Sequence, residues 1–118
     1  MLKLMLLVRR KPGTTREAFR DYYESIHAPL ASGVMAGCKR YLRNFVIEEP
    51  GGSQDFDVIT EFWFDLEGPF AKAAKRISTE ATRAVLEADE ARFMDRGSMR
   101  VVVVDERESD PAGLLGNV

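Results

Sequence analysis

The chain has 118 residues, the size of one domain able to bury its own core without disulfides or metals. Lys plus Arg total 17 against 19 Asp plus Glu, a formal net charge of -2 with the signs interleaved, so no basic footprint for nucleic acid is present. The single cysteine, Cys38, excludes an intramolecular disulfide, and without a CxxC or Cys/His cluster no metal site is expected; a reducing, cytoplasmic compartment fits.

The apolar run Leu2 to Val8 is too short to span a membrane and has neither the basic start nor the cleavage site of a signal peptide. It reads as a strand over Lys3 to Arg10, closed by Pro12-Gly13. Thr14-Thr15-Arg16-Glu17 then reads as a capping box, with Thr14 as the cap of a helix from about Thr15 to Ala28. Ala18, Phe19, Tyr22, Tyr23, Ile26 and Leu30 form its apolar face, and Pro29 is expected to close it near His27.

Tyr41 to Glu48 (YLRNFVIE) and Asp57 to Phe64 (DVITEFWF) have strand composition, and the turn Pro50-Gly51-Gly52-Ser53 joins them as a hairpin. Pro69 suits the first turn of a helix through about Ile77, and Ser78 or Thr79 can cap a second segment. There Ala81, Ala84, Val85 and Ala88 imply a small-residue face against a sheet. Gly97 marks a break, and Arg100 to Glu106, with four consecutive valines, is expected to be a strand buried on both faces. Residues 1–108 thus form one domain and 109–118 a loosely ordered tail.

The order β-α-β-β-α-β is the split βαβ pattern of ferredoxin-like α+β domains, an antiparallel four-stranded sheet with both helices on one face. The strands carry apolar groups on both faces, and the chain holds no further element to cover the second. A homodimer through the sheet faces is the economical answer.

His27 is the only histidine. An unperturbed imidazole titrates near pH ~6.5, so this side chain can take and give a proton at neutral pH. It lies at the edge of the helix's apolar arc, one turn above Tyr23. Such a residue either looks into a cavity between helix and sheet or merely caps the interface. Glu61 and Asp57 interrupt an apolar strand and share a face with Ile59 and Trp63; a carboxylate near the imidazole would orient it, or both acids serve a sheet rim or dimer interface. Tyr22, Tyr23, Tyr41 and Trp63 are amphipathic aromatics suited to a flat apolar pocket, and Tyr41 and Asn44 are polar-tipped residues on a strand. The acidic stretch Asp89, Glu90 and Asp95 reads as a solvated helix end. No phosphate loop, nucleophile motif, HExxH or EF-hand pattern is present, which leaves cofactor-free proton transfer or a cofactor such as haem needing one protein ligand.

The segments LLVRRKPGTTREAFRDYYESIHAPLA, GCKRYLRN, ITEFWFD and DEARFMD resemble the EthD-like family of the dimeric α/β-barrel superfamily, most specifically in F-x-x-Y-Y-x-x-x-H-A-P-L. The resemblance implies a ferredoxin-like protomer, a dimer made by packing two sheets into a barrel, and a pocket between helices and sheet. It also implies matching roles for His27, Tyr41 and the Glu61-Phe62-Trp63 segment; Tyr22-Tyr23 departs from a Tyr-Trp pair in many relatives. The expected function is that of a cofactor-free acid/base enzyme, such as an isomerase, cyclase, dehydratase or cofactor-free oxygenase, acting on an aromatic, polyketide-like or lactone substrate. His27, Glu61 and Tyr41 would be catalytic, and Phe19, Tyr23, Asn44 and Trp63 would bind substrate. The alternatives are an accessory protein binding a small hydrophobic ligand, or a haem protein with His27 as axial ligand.

Overall fold

The structure, a computed structural model, describes residues 2–65 and 67–112. The strands are β1 (Leu2–Arg10), β2 (Arg40–Phe45), β3 (Val58–Phe64) and β4 (Met94–Asp105). They form one antiparallel sheet in the order β2-β3-β1-β4, the ferredoxin-like arrangement read from the sequence. The helices are α1 (Arg16–Tyr22), α2 (Ala28–Val34), α3 (Glu67–Ser78) and α4 (Glu80–Phe93), with a π-helical turn at Tyr23–His27 joining α1 to α2.

The first helix does not close at His27. Pro29 can donate no hydrogen bond to the Ser25 carbonyl, and its ring would press on that oxygen in a regular α-helix. The chain widens instead: the Ala28 amide bonds the Tyr23 carbonyl in an i to i+5 step, and the helix continues through Pro29 to Val34. His27 is therefore in mid-helix, without the free carbonyls of a helix end. The cap lies one residue later than the sequence suggests, with Thr15 Oγ1 accepting from the Ala18 amide at 3.0 Å, so Glu17 sits in the first turn and closes no box.

The hairpin strands are shorter than their apolar runs, and in the connection Glu49 accepts from Ser53 Oγ and from the Phe56 amide. Gly51 and Gly52 take positive φ there, at 103° and 84°. The last strand starts directly after α4, and Gly97 lies inside it. Between Leu7 and Arg9 the pairing of β1 with β4 slips, and Ser98 spans the irregularity by accepting from the Arg9 amide and donating to the Asp95 carbonyl.

Two clusters fill the space between helices and sheet. One holds Val8, Phe19, Tyr23, Ala28, Val58, Phe93 and Met94; the other holds Ala31, Met35, Phe62, Phe64 and Ala73. Two sequence expectations fail here. The small residues Ala81, Ala84, Val85 and Ala88 face outward, because α4 buries Glu90 and Phe93 instead. Val101, Val102 and Val103 are 56%, 43% and 56% exposed, because β4 is an edge strand with β1 as its single neighbour in the sheet. Of the expected tail, residues 113–118 lie outside the described residues.

Candidate functional site

Alternation along β3 divides the sheet. Val58, Thr60, Phe62 and Phe64 are buried beneath the helices, while Ile59, Glu61 and Trp63 are only half-buried and point to the opposite face. Their partners across the strands follow the same division: Leu4 lies opposite Phe62 and Leu6 opposite Thr60 on the helix side, and Asn44 opposite Ile59 on the other.

On the helix side a cavity of about 220 Å³ lies between β1, β3 and β4 below and the π-turn, α2, α3 and α4 above. Its walls are mainly apolar, and the polar side chains reaching it from within include His27, Tyr23, Tyr41, Thr60 and Glu90. The π-turn brings Tyr23 and His27 to this side together, their rings edge to face with centroids 5.2 Å apart. Phe93 packs on both, 5.6 Å from Tyr23 and 5.1 Å from His27.

His27 is only 4% exposed, and its Nδ1 lies 2.8 Å from Asp89 Oδ2. A carboxylate only accepts, so Nδ1 carries the proton and donates. The other carboxylate oxygen accepts from the Tyr22 hydroxyl at 2.6 Å, which fixes Asp89 in place. When the ring is neutral, Nε2 is then the bare nitrogen. It has no protein partner among the described residues and is not sealed away as a buried unpaired atom, and the His27 side chain lines the cavity. An imidazole held at Nδ1 by a carboxylate, with Nε2 free, is the arrangement of a general base.

Tyr23 Oη lies 2.5 Å from Thr60 Oγ1, and the Tyr41 hydroxyl approaches Tyr23 Oη at 3.5 Å, the limit of a hydrogen bond. Burial raises both phenols above their ordinary value, so both stay protonated at neutral pH. The Tyr41 ring is held by stacking on Phe62 at 4.3 Å between centroids, while its O–H, with only this long contact, can turn to a ligand carbonyl. Glu90 is 9% exposed, and burial raises its carboxyl against the opposing pull of His27 and of Arg96, whose Nε donates to Glu90 Oε1 at 3.3 Å.

Of the residues singled out in the sequence, His27, Tyr23 and Tyr41 meet at this cavity. Glu61, Asn44 and Trp63 do not, because they belong to the other sheet face. Glu61 there accepts from Lys3 Nζ at 2.9 Å, Asn44 Nδ2 at 2.8 Å and Trp63 Nε1 at 3.1 Å. Its burial alone would raise the carboxyl, but these donors outweigh burial and hold it below the ordinary value. Glu61 therefore cannot orient the imidazole. Phe19 is core, 1% exposed, and buttresses Tyr23 at a 6.1 Å ring separation without lining the cavity. Asp57 pairs with Arg10 at 2.8 Å at the sheet end, away from His27.

Asp89, Glu90 and Thr60 do not stand out in the sequence, and Tyr22, expected as a pocket aromatic, instead holds Asp89. The first two were read as a solvated helix end because they are charged. Their spacing carried a signal: Leu86, Asp89, Glu90 and Phe93 follow an i, i+3, i+4, i+7 stripe, which puts both acids on the buried side of α4. Among the described residues no cluster of three or more His, Cys, Asp or Glu is placed to hold a metal ion, and no helix is long and apolar enough to cross a membrane.

The fold has parallels among solved structures. A crystal structure of an ethyl tert-butyl ether d (EthD) family protein from Bacillus halodurans is 22% identical, covers 91% of this chain and 99% of its own, and superposes with a TM-score of 0.67. An EthD-like protein from Ralstonia eutropha is 16% identical over 94% of this chain and 96% of its own, with a TM-score of 0.65. A dimeric ferredoxin-like protein of unknown function from Thermobifida fusca is 19% identical over 89% of this chain and 90% of its own, with a TM-score of 0.57. No curated protein matches. The family model of the EthD domain matches residues 11–97, most of the chain and every segment that builds the cavity from α1 to Arg96; the chain belongs to the EthD family.

Proposed function

We propose that this protein is a cofactor-free acid/base enzyme acting on a small aromatic, polyketide-like or lactone substrate in catabolism or secondary metabolism. The observation that supports the reading is the 2.8 Å contact from His27 Nδ1 to Asp89, which leaves Nε2 as the bare nitrogen of a ring that lines the cavity. Asp89 is a positioning residue that selects the tautomer and stabilises the imidazolium once it forms. Tyr41, with Tyr23 behind it, polarises a carbonyl, and the apolar walls hold the rest of the ligand and exclude water.

The free volume of about 220 Å³ suits a small ring compound and is too small for a porphyrin, so it favours this reading over a haem site on His27. The working unit is a homodimer. The open sheet face presents Met5, Leu7, Leu42, Ile59 and Trp63 only half-buried, and a second copy is its natural cover; the similar Thermobifida fusca protein is described as dimeric. Cys38 has no disulfide partner, in keeping with a reducing cytoplasm.

The test is His27→Gln in a screen of aromatic ketones, β-dicarbonyl esters and lactones. One positioned proton-transfer group contributes roughly 10²–10⁴-fold to rate, so turnover of any substrate found should fall by that order in a folded variant. Full activity in folded His27→Gln overturns the proposal. A monodisperse monomer at micromolar concentration in sedimentation overturns the dimer.

A further inference from the structure

Asp89 and Glu90 are consecutive on α4, and both turn inward. Asp89 is consumed by Tyr22 and His27. Glu90 is not: Arg96 engages Oε1 alone, at 3.3 Å, and Oε2 has no partner among the described residues although the residue is 91% withdrawn from solvent, the complement of its 9% exposure. The structure otherwise pairs its withdrawn carboxylates fully, Asp57 with Arg10 and Glu61 with three donors. A withdrawn carboxyl with one oxygen unpaired, lining the same cavity as His27 with its bare Nε2, needs a reason other than stability.

We infer that Glu90 is the second proton-transfer group of this cavity, the acid that works opposite His27, and that the substrate is a carbonyl compound with an acidic α-carbon that is isomerised through its enol. The inference rests on the general-base reading of His27. In the forward half, Nε2 takes the proton from the α-carbon; the C–H bond breaks, and its electron pair forms the C=C bond of the enol. The former carbonyl oxygen receives the Glu90 proton, leaving a carboxylate beside an imidazolium. In the return half, the imidazolium delivers its proton to the far carbon of the extended enol. The enol O–H returns its proton to Glu90, and the C=O bond re-forms. Both groups end as they began, and no oxidant, reductant or cofactor enters.

Glu90 is suited to this because burial favours its protonated form at pH values where ordinary carboxyls are ionised. The charged and titratable groups around it are His27 and Tyr23 from the π-turn, Arg96 from β4, and Glu87 and Arg83 from its own helix. The sides of α2 and α3 that face the cavity are apolar. Arg96 is shared, its other nitrogen lying 3.3 Å from Glu87, so the cation does not hold Glu90 fully ionised. Activity needs a protonated Glu90 beside the bare Nε2, so the rate falls as pH rises through the Glu90 ionisation, an alkaline limb that belongs to Glu90.

The first experiment follows the ¹⁵N shifts of the single imidazole against pH in the intact protein. The native curve should show a second inflection from Glu90 ionisation, absent in Glu90→Gln; superimposable curves overturn the inference. The second follows conversion of a β,γ-unsaturated cyclohexenone to its conjugated isomer in D₂O, with the α-hydrogen carried to the far carbon. Glu90→Gln should lower the rate roughly 10²–10⁴-fold and abolish the alkaline limb, with Glu90→Asp recovering part of both. Full rate and an intact alkaline limb in Glu90→Gln overturn the role of Glu90 alone. Full rate in His27→Gln overturns the general-base reading beneath it, and no conversion by the native protein overturns the enol class of substrate.

Discussion

Replacing Asp89 by Asn changes one atom and should move a proton by the width of the imidazole ring. Asp89 accepts twice, from Tyr22 at 2.6 Å and from His27 Nδ1 at 2.8 Å. An asparagine in the same place has one acceptor and one donor. The Tyr22 hydroxyl can donate or accept, but Arg92 already lies at its oxygen, which favours Tyr22 donating to the amide oxygen; the amide N–H then faces Nδ1, and that bond survives only if the ring proton moves to Nε2. Two hydrogen bonds to a charged group, each worth roughly 1.5–3 kcal/mol, become neutral ones worth roughly 0.5–1.5. With Tyr22 half in solvent, the expected loss is about 1–2 kcal/mol. At an unfolding entropy of about 0.25 kcal/mol/K for 118 residues this is a fall of about 4–8 °C in Tm. The functional loss should be far larger, about 10⁴-fold in turnover, because the wrong tautomer offers no base at the cavity. Long-range ¹H–¹⁵N correlation above the histidine titration reads the tautomer directly, and with one histidine it needs no assignment. A native Nε2–H tautomer, or an Asp89→Asn variant that keeps Nδ1–H, would refute the reasoning.

Three further outcomes follow from the same contacts. Phe93→Ala removes the ring that packs on Phe19, Tyr22, Tyr23 and His27, and should cost roughly 3–5 kcal/mol by denaturant unfolding; a loss below about 1 kcal/mol would contradict its place at the centre of the cluster. Glu61→Gln should leave the His27 resonances unmoved while weakening self-association, since Glu61 lies on the open sheet face with Lys3 and Trp63; a shifted imidazole would restore Glu61 to the site. Because the folded protein holds the Glu90 carboxyl above its ordinary value of 4.5, native protein keeps a proton that the unfolded chain has lost, so stability falls as pH rises from that value through the raised one. Glu90→Gln has no such cost. Its Tm should match the native protein near pH ~4 and exceed it by a few degrees at neutral pH, and a variant less stable at neutral pH than in acid relative to native would reverse the sign.

The sheet was legible because its punctuation is strong. Pro12-Gly13 and Pro50-Gly51-Gly52-Ser53 leave few ways to divide the chain, and the composition of DVITEFWF admits only a strand. The same period of two that identifies β3 also separates Thr60 and Phe62 from Glu61 and Trp63. It does not say which set meets the helices, since both contain aromatics and polar groups, and Glu61 was placed with His27 for want of that sign. Pro29 misled because the rule for the residue before proline assumes an α-turn, and the π-turn evades it. The largest gap was on α4. Charge suggested solvent for Asp89 and Glu90, while the spacing of Leu86 and Phe93 placed them inside; polar groups face inward there because Tyr22, His27 and Arg96 wait for them. A functional site is where hydrophobic patterning should fail, and the failure marks its position.

The central claim, that His27 serves a ligand from Nε2 while Asp89 holds Nδ1, is tested most directly by the two ¹⁵N resonances of its ring during titration with a small aromatic ketone such as acetophenone. The account predicts a saturable shift at Nε2 with the Nδ1–H signature retained. An Nε2 resonance that stays unchanged while the ketone binds elsewhere, or one that never responds at all, would contradict it.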